Sequence, residues 1–92
     1  MARIVVERSH SLGREVARQR AEKLAEKLER DFAVSHAWQG DVLAISRSGA
    51  DGRIEVGEDR VRVELTLGLL LSAMSAGIQA QIERSLDKAL QA

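Results

Sequence analysis

The chain of 92 residues contains no cysteine and no proline, and Phe32 and Trp38 are its only phenylalanine, tyrosine or tryptophan residues. Without cysteine there are no disulfides and no thiolate nucleophiles, and most zinc sites lose their usual ligands. The 14 lysine and arginine residues are balanced by 14 aspartate and glutamate residues. Nucleic-acid binding normally needs a basic surface or stacking aromatics, so we expect no nucleic-acid partner.

Long apolar runs are missing as well. The longest uncharged stretch, residues 66–82, is interrupted by glycines, serines and glutamines, so we expect no transmembrane segment. The apolar run at residues 4–6 is far too short for the central region of a signal peptide. Together with the absence of cysteine, these features predict a cytoplasmic protein.

What the chain does contain is a globular balance of 45% hydrophobic and 30% charged residues, and we expect residues 1–92 to form one domain. The hydrophobic periodicity changes along it and predicts the order β-α-β-β-β-β-α. Ser11 is the predicted N-cap of the first helix. The predicted elements are a strand at 4–6, a helix from Leu12 to about Arg30, strands at 34–38, 42–46, 53–56 and 60–67, and a helix from about Leu70 to Leu90.

Both helices are amphipathic, and each has an apolar stripe that a sheet can bury. The first stripe is Ala17, Ala21, Leu24, Ala25, Leu28 and Phe32. The second is Leu71, Met74, Ile78, Ile82, Leu86 and Ala89. The strict alternation in residues 60–67 indicates a strand with one buried face. We therefore predict an α+β fold, in which a mostly antiparallel sheet of about five strands carries both helices on one face.

No arrangement of residues in the sequence indicates catalysis. The two histidines, His10 and His36, have no ligand partner three or four residues away on a helix. Ser48 lies in a predicted hairpin turn and lacks the Gly-x-Ser-x-Gly setting of a nucleophile elbow. The glycines form neither a phosphate-binding loop nor a dinucleotide-binding motif. We expect no catalytic, metal-binding or cofactor-binding residues, and no enzymatic activity.

Two features could instead serve binding. The segment 67–71 is the most apolar part of the chain, and it either fills the core or forms an exposed apolar patch. Beside it, the second helix carries a spare stripe of small residues that either packs on the first helix or forms a dimer seam. The candidate interaction surface that these features define is Leu69, Leu70, Leu71, Ala73, Ala76, Gly77 and Ala80.

Several stretches together resemble the putative polyhydroxyalkanoic acid system protein family of bacteria, over essentially the whole chain. No single motif is distinctive, and the order and spacing of the stretches make the resemblance. The stretches are 10–13 (HSLG), 38–43 (WQGDVL), 46–52 (SRSGADG), 67–71 (LGLLL), 78–84 and 86–87. The resemblance implies a bacterial cytoplasmic protein that acts at or near polyhydroxyalkanoate storage granules, and it implies no catalytic residues.

Two functional hypotheses follow. In the first, the chain is a small accessory protein that binds a granule-associated protein or the granule surface. In the second, it is a carrier that holds a small apolar, acyl-type ligand between the sheet and the C-terminal helix. The carrier needs a pocket of at least ~300 Å³ at that place. In a further alternative, the small-residue stripe forms the contact between two copies of the chain in a homodimer.

Overall fold

The computed structural model describes residues 2–91, in which five strands and three helical segments follow one another along the chain. The strands are β1 (Ala2–Ser9), β2 (Ser35–Gln39), β3 (Val42–Arg47), β4 (Ala50–Val56) and β5 (Arg60–Leu67). The helices are α1 (Arg14–Phe32), α2 (Leu69–Ser72) and α3 (Ser75–Ala89). The predicted α+β class is confirmed.

The strands form one open antiparallel sheet in the order β1-β5-β4-β3-β2. Strands β2 to β5 form the predicted meander, and β1 pairs with β5 from Ala2↔Leu67 to Ser9↔Arg60. The alternation in β5 places Val61, Val63 and Leu67 in the core. These side chains lie on the same face as Ile4 and Val6 of β1, because neighbouring residues in a strand point to opposite faces.

Both long helices cover that face. Helix α1 packs across β2, β3 and β4, while α3 packs on β1 and on α1. The alanine-rich stripe of α1 is buried as predicted, and Ile78, Ile82 and Leu86 are the buried residues of the α3 stripe. Three of the five buried residues of α1 are alanines, and their small side chains let the helix lie close to the sheet.

The start of α1 differs from the prediction. The helix begins at Arg14, its N-cap is Gly13 with φ 81°, and no side chain bonds to the free N–H groups of the first turn. Ser11 therefore does not cap it. His10 takes part in the entry loop instead, since its Nδ1 accepts the N–H of Leu12 at 3.2 Å.

The predicted turn over residues 48–52 is shorter than expected, because Gly52 already belongs to β4. A Cβ atom at Gly52 would lie 2.3 Å from the carbonyl oxygen of Glu64 on β5. This glycine therefore permits a close approach of two strands rather than a turn. The turn itself is carried by Gly49, which has φ 85°.

Candidate functional site

The predicted C-terminal helix is broken into two segments at Ala73 and Met74. Met74 has φ −103° and ψ 9°, and its N–H bonds to the carbonyl of Leu71 three residues back. The hydroxyl of Ser72 donates to the carbonyl of Gly68 at 2.8 Å, and the backbone N–H of Ser72 donates to the same oxygen at 3.0 Å; serine bonds of this kind often bend a helix. The single long helix expected from the sequence was wrong at this point.

The start of α2 is attached to the β3–β4 turn. Gly68 donates its N–H to the carbonyl of Gly49 at 2.6 Å, and a Cβ atom on Gly68 would lie only 3.1 Å from that oxygen. Leu71 packs beside the same turn, 3.8 Å from a Cβ position on Gly49. Two glycines therefore allow the chain to turn away from the sheet just after the buried Leu67.

This geometry carries the next two leucines into solvent. Leu69 is 83% exposed and Leu70 is 90% exposed, while Met74 is 59% exposed. Of the two interpretations of the apolar segment, an exposed patch therefore describes Leu69 and Leu70, whereas Leu67 belongs to the core. We call Leu69, Leu70 and Met74 the leucine surface. Contiguous exposed apolar groups of this kind usually mark an interaction site.

The small-residue stripe continues the leucine surface along the same region. Ala73, Ala76 and Gly77 are exposed, whereas Leu71 and Ala80 are half-buried. A Cβ atom at Gly77 would meet nothing within 4 Å. The exposure of Ala73, Ala76 and Gly77 means that they are not buried against α1, although Gly77 lines a groove together with Phe32 of that helix. The structure leaves these three residues free for contact with another molecule.

Beneath this surface lies an apolar cavity of about 130 Å³ between the sheet, the end of α1 and the start of α3. Its lining is almost wholly apolar and includes Leu28, Phe32, Val34, Ile45, Ala50, Leu67, Leu71, Met74, Ile78 and Ile82. It is smaller than the ~300 Å³ required above for a carrier. It is close to an engineered cavity of about 150 Å³ that binds benzene. An outer groove shares Phe32, Met74 and Ile78 with the cavity.

One cation borders the cavity. Arg47, at the end of β3, lines it and donates from Nη1 to the carbonyl of Phe32 at 2.6 Å. It makes no ion pair with any carboxylate of residues 2–91, unlike Arg3, Arg18 and Arg53. The carbonyl of Phe32, at the C-terminus of α1, accepts one N–H of the guanidinium. The Nε of Arg47 donates to the carbonyl of Ser48 at 3.4 Å, so Nη2 is the guanidinium nitrogen without a hydrogen bond among the described residues.

A second polar cluster joins the edge strand β2 to α1. Glu22 accepts the indole N–H of Trp38 at 2.7 Å and lies 2.9 Å from Nε2 of His36. The Trp38 bond, more than His36, holds the pKa of Glu22 below its ordinary 4.5 against the opposing effect of burial. Nδ1 of His36 lies 3.0 Å from a Glu29 oxygen but lacks hydrogen-bond geometry. Arg18 stacks 4.1 Å above the Trp38 ring.

A third cluster lies on the outer face of the sheet. Glu64 is only 8% exposed, although the alternation in residues 60–67 places it on the face of the sheet opposite the core. Its carboxylate pairs with Arg3, with Arg53 at 2.8 Å and with Arg62 at 3.4 Å. The pairing with Arg3, followed by Arg53 and Arg62, lowers the pKa of Glu64 below 4.5, and burial opposes that effect. The cluster is internally satisfied and joins β1, β4 and β5.

Neither polar cluster has the arrangement of a metal centre. No three histidine, aspartate or glutamate side chains among the described residues could hold a metal ion. Within the same part of the chain, no helix combines the length and apolar character needed to cross a bilayer.

Sequence reasoning missed three residues of this region. Met74 was assigned to the buried stripe, but the helix break rotates it outward. Phe32 was assigned to the apolar stripe of the first helix and Arg47 was given no role, and their contact at the cavity depends on tertiary structure. A serine four residues after Gly68 was the available signal for a bend, since such hydroxyls often bond to the preceding turn.

Comparison with known proteins gives one family match. A family model described as putative polyhydroxyalkanoic acid system protein matches residues 4–90. No curated protein matches the chain. A solved structure, that of the protein TTHA0849 from Thermus thermophilus, is similar with a TM-score of 0.47 and 18% identity, covering 97% of this chain and 94% of that one. That similarity is too distant to bear on function.

Proposed function

The chain belongs to the putative polyhydroxyalkanoic acid system protein family, and we propose that it is a non-catalytic accessory protein of polyhydroxyalkanoate storage that acts by binding a partner protein. The observation that carries the proposal is the exposure of Leu69 and Leu70 at a junction held by a backbone hydrogen bond. Two almost fully exposed leucines are costly in a free surface, and covering them by a partner is favourable.

The proposed partner presents an apolar groove or helix face. The leucine surface projects from the body of the domain, while Ala73, Ala76 and Gly77 beside it are small enough for close backbone approach. A projecting patch next to a small-residue face fits an apolar groove in another protein better than a flat polymer surface. It exposes on the order of a few hundred Å² of apolar area.

The family membership also supports a place of action. We propose that the protein acts in the cytoplasm, at or near polyhydroxyalkanoate granules, through a granule-associated partner. Direct contact with the granule surface is the alternative route to the same place.

Granule fractionation tests this function. Wild-type protein and the double variant Leu69→Ser, Leu70→Ser are expressed in a polymer-accumulating host, and the granules are isolated. We expect the wild-type protein to be recovered with the granules and the double variant to remain in the supernatant. The control Val5→Ser removes an apolar side chain that is 43% exposed on β1, and it should behave like wild type.

The fractionation also separates the alternatives. Binding of purified wild type to protein-stripped polymer would assign the contact to the granule surface instead of a partner protein. A concentration-dependent dimer abolished by the double variant would assign the surface to a second copy. Equal distribution of wild type and double variant would overturn the proposal.

The apolar cavity is too small for the carrier expected from the sequence, but it has room for a shorter ligand, and a short-chain carrier is therefore the second candidate function. A carrier for a small acyl-type ligand would use the space between the sheet, α1 and α3. At about 130 Å³ the cavity admits only a short chain. Ligand binding and partner binding use neighbouring parts of the fold, and each can be measured without the other.

A further inference from the structure

We propose that the cavity is a binding site for a short monocarboxylate, with the alkyl chain in the cavity and the carboxylate on the guanidinium of Arg47. The proposal rests on the carrier candidate and narrows it to a ligand class. The volume of the cavity, its apolar lining and the positive charge of Arg47 at its border support this assignment.

The size of the cavity limits the length of the alkyl chain of the ligand. Its volume of about 130 Å³ is close to that of an engineered cavity that holds benzene, so it accommodates a tail on the order of six carbon atoms. The walls offer Ile45, Ile78 and Ile82, with Phe32 and Met74 towards the outside. Glu64 is also among the lining residues, but its carboxylate is paired with three arginines on the outer face of the sheet. The lining as a whole therefore favours an unbranched apolar chain.

The charge at the border sets the head group. Two hydrogen bonds orient the exposed Arg47 side chain, one from Nη1 to the carbonyl of Phe32 at 2.6 Å and one from Nε to the carbonyl of Ser48 at 3.4 Å. No carboxylate within residues 2–91 neutralises it by an ion pair, and guanidinium groups bind carboxylates through paired N–H donors. The acidic residue of the same helix end, Asp31, accepts a hydrogen bond from Gln81 instead.

The test is an NMR titration of the wild-type protein with unbranched carboxylates of increasing length. Affinity should rise roughly fourfold for each added methylene and level off near six carbons, when the cavity is full. Hexanoate should bind with a Kd on the order of 1 mM. The shifted resonances should include Leu28, Ile45 and Ile78. Hexanol, which has the same tail and no charge, should bind at least several-fold more weakly.

Variants separate the head-group contact from the cavity. Arg47→Gln should remove the preference for hexanoate over hexanol, while Arg30→Gln, an exposed arginine in the last turn of α1, should keep it. Ala50→Val places two further carbons in the cavity and should abolish binding of both ligands. A thermal melt of each variant establishes that it is folded. The titration of the wild-type protein with carboxylates of increasing length tests the cavity without relying on any variant.

Equal binding of hexanol and hexanoate, or no shifts at the cavity residues, would overturn the proposal. The leucine-surface variant Leu69→Ser, Leu70→Ser should still bind hexanoate. Retention of this variant on the granules would contradict the partner-binding proposal alone, and absence of hexanoate binding by the wild-type protein would contradict the monocarboxylate proposal alone.

Discussion

Gly68 donates its backbone N–H to the carbonyl of Gly49 at 2.6 Å, and this bond joins the start of α2 to the turn between β3 and β4. The chain leaves the sheet at this point, so the bond decides where the exposed leucines lie. A side chain at Gly68 would crowd the contact, and a side chain at Gly49 would be strained by the φ of 85° at that residue. The leucine surface is therefore attached to the sheet rather than carried on a free loop.

Replacing Gly68 by alanine should destabilise the protein by about 1 kcal/mol. The backbone at this residue, with φ −70°, suits alanine, but the new Cβ atom would lie 3.1 Å from the Gly49 oxygen. The junction must open slightly and weaken its hydrogen bond. Chemical denaturation measures the cost, and an unchanged midpoint would show that the contact is not tight.

Replacing Gly77 by alanine should have the opposite effect. The new Cβ atom meets nothing within 4 Å, and alanine in a helix is favoured over glycine by about 0.5–1 kcal/mol. An increase in melting temperature of several degrees is expected. If the variant also loses its partner, the small residue is needed for close approach in the complex. A lower melting temperature would mean that this face is covered within the domain.

Glu64 should make the protein sensitive to acid. Its folded-state pKa lies below 4.5 because of Arg3, Arg53 and Arg62, so the ionised carboxylate stabilises the folded state. That stabilisation is present above the unfolded-state pKa and is lost as the pH falls through the lower folded-state value. Glu64→Gln should be less stable at neutral pH and should lose less on acidification. The free energy of unfolding of the wild-type protein and of Glu64→Gln is measured by chemical denaturation from neutral pH down to about pH 3. If both proteins lose stability in parallel, the acid sensitivity does not come from Glu64.

The indole of Trp38 should control the ionisation of Glu22. The hydrogen bond at 2.7 Å is the largest contribution that lowers the pKa of this carboxyl group. Trp38→Phe removes the donor and should move the pKa of Glu22 back towards 4.5, as followed by carboxyl-carbon NMR. His36→Gln should produce a smaller change. An unchanged pKa in the Trp38 variant would exclude the indole as the main cause.

Much of the fold could be predicted from the sequence, because alternation in β5 and the stripe of α1 reflect burial on one side. The helix boundaries could not. Gly13 begins α1 through its backbone conformation, so the side-chain signal at Ser11 was misleading. Residues 73 and 74 are alanine and methionine, both good helix formers, and nothing in their propensities indicates the break.

The candidate site was predicted in part. The apolar segment and the small-residue stripe were recognised, but periodicity cannot decide whether a second stripe is covered by the same chain. Met74 illustrates the limit, since its spacing matches the buried stripe, yet it lies in the helix break and is 59% exposed. The cavity and Arg47 depend on contacts between residues distant in sequence, which a single sequence does not reveal.

Site-specific photo-crosslinking tests the central claim most directly. A photoreactive residue is placed at Leu70 in one variant and at Lys23, an exposed position on α1, in the matched control. Cells that accumulate polymer are irradiated, and granule fractions are examined by mass spectrometry. We predict that position 70 forms a crosslink to one granule-associated protein and that position 23 forms none. The same crosslinks from both positions, or none from position 70, would contradict the assignment of the leucine surface as the partner-binding site.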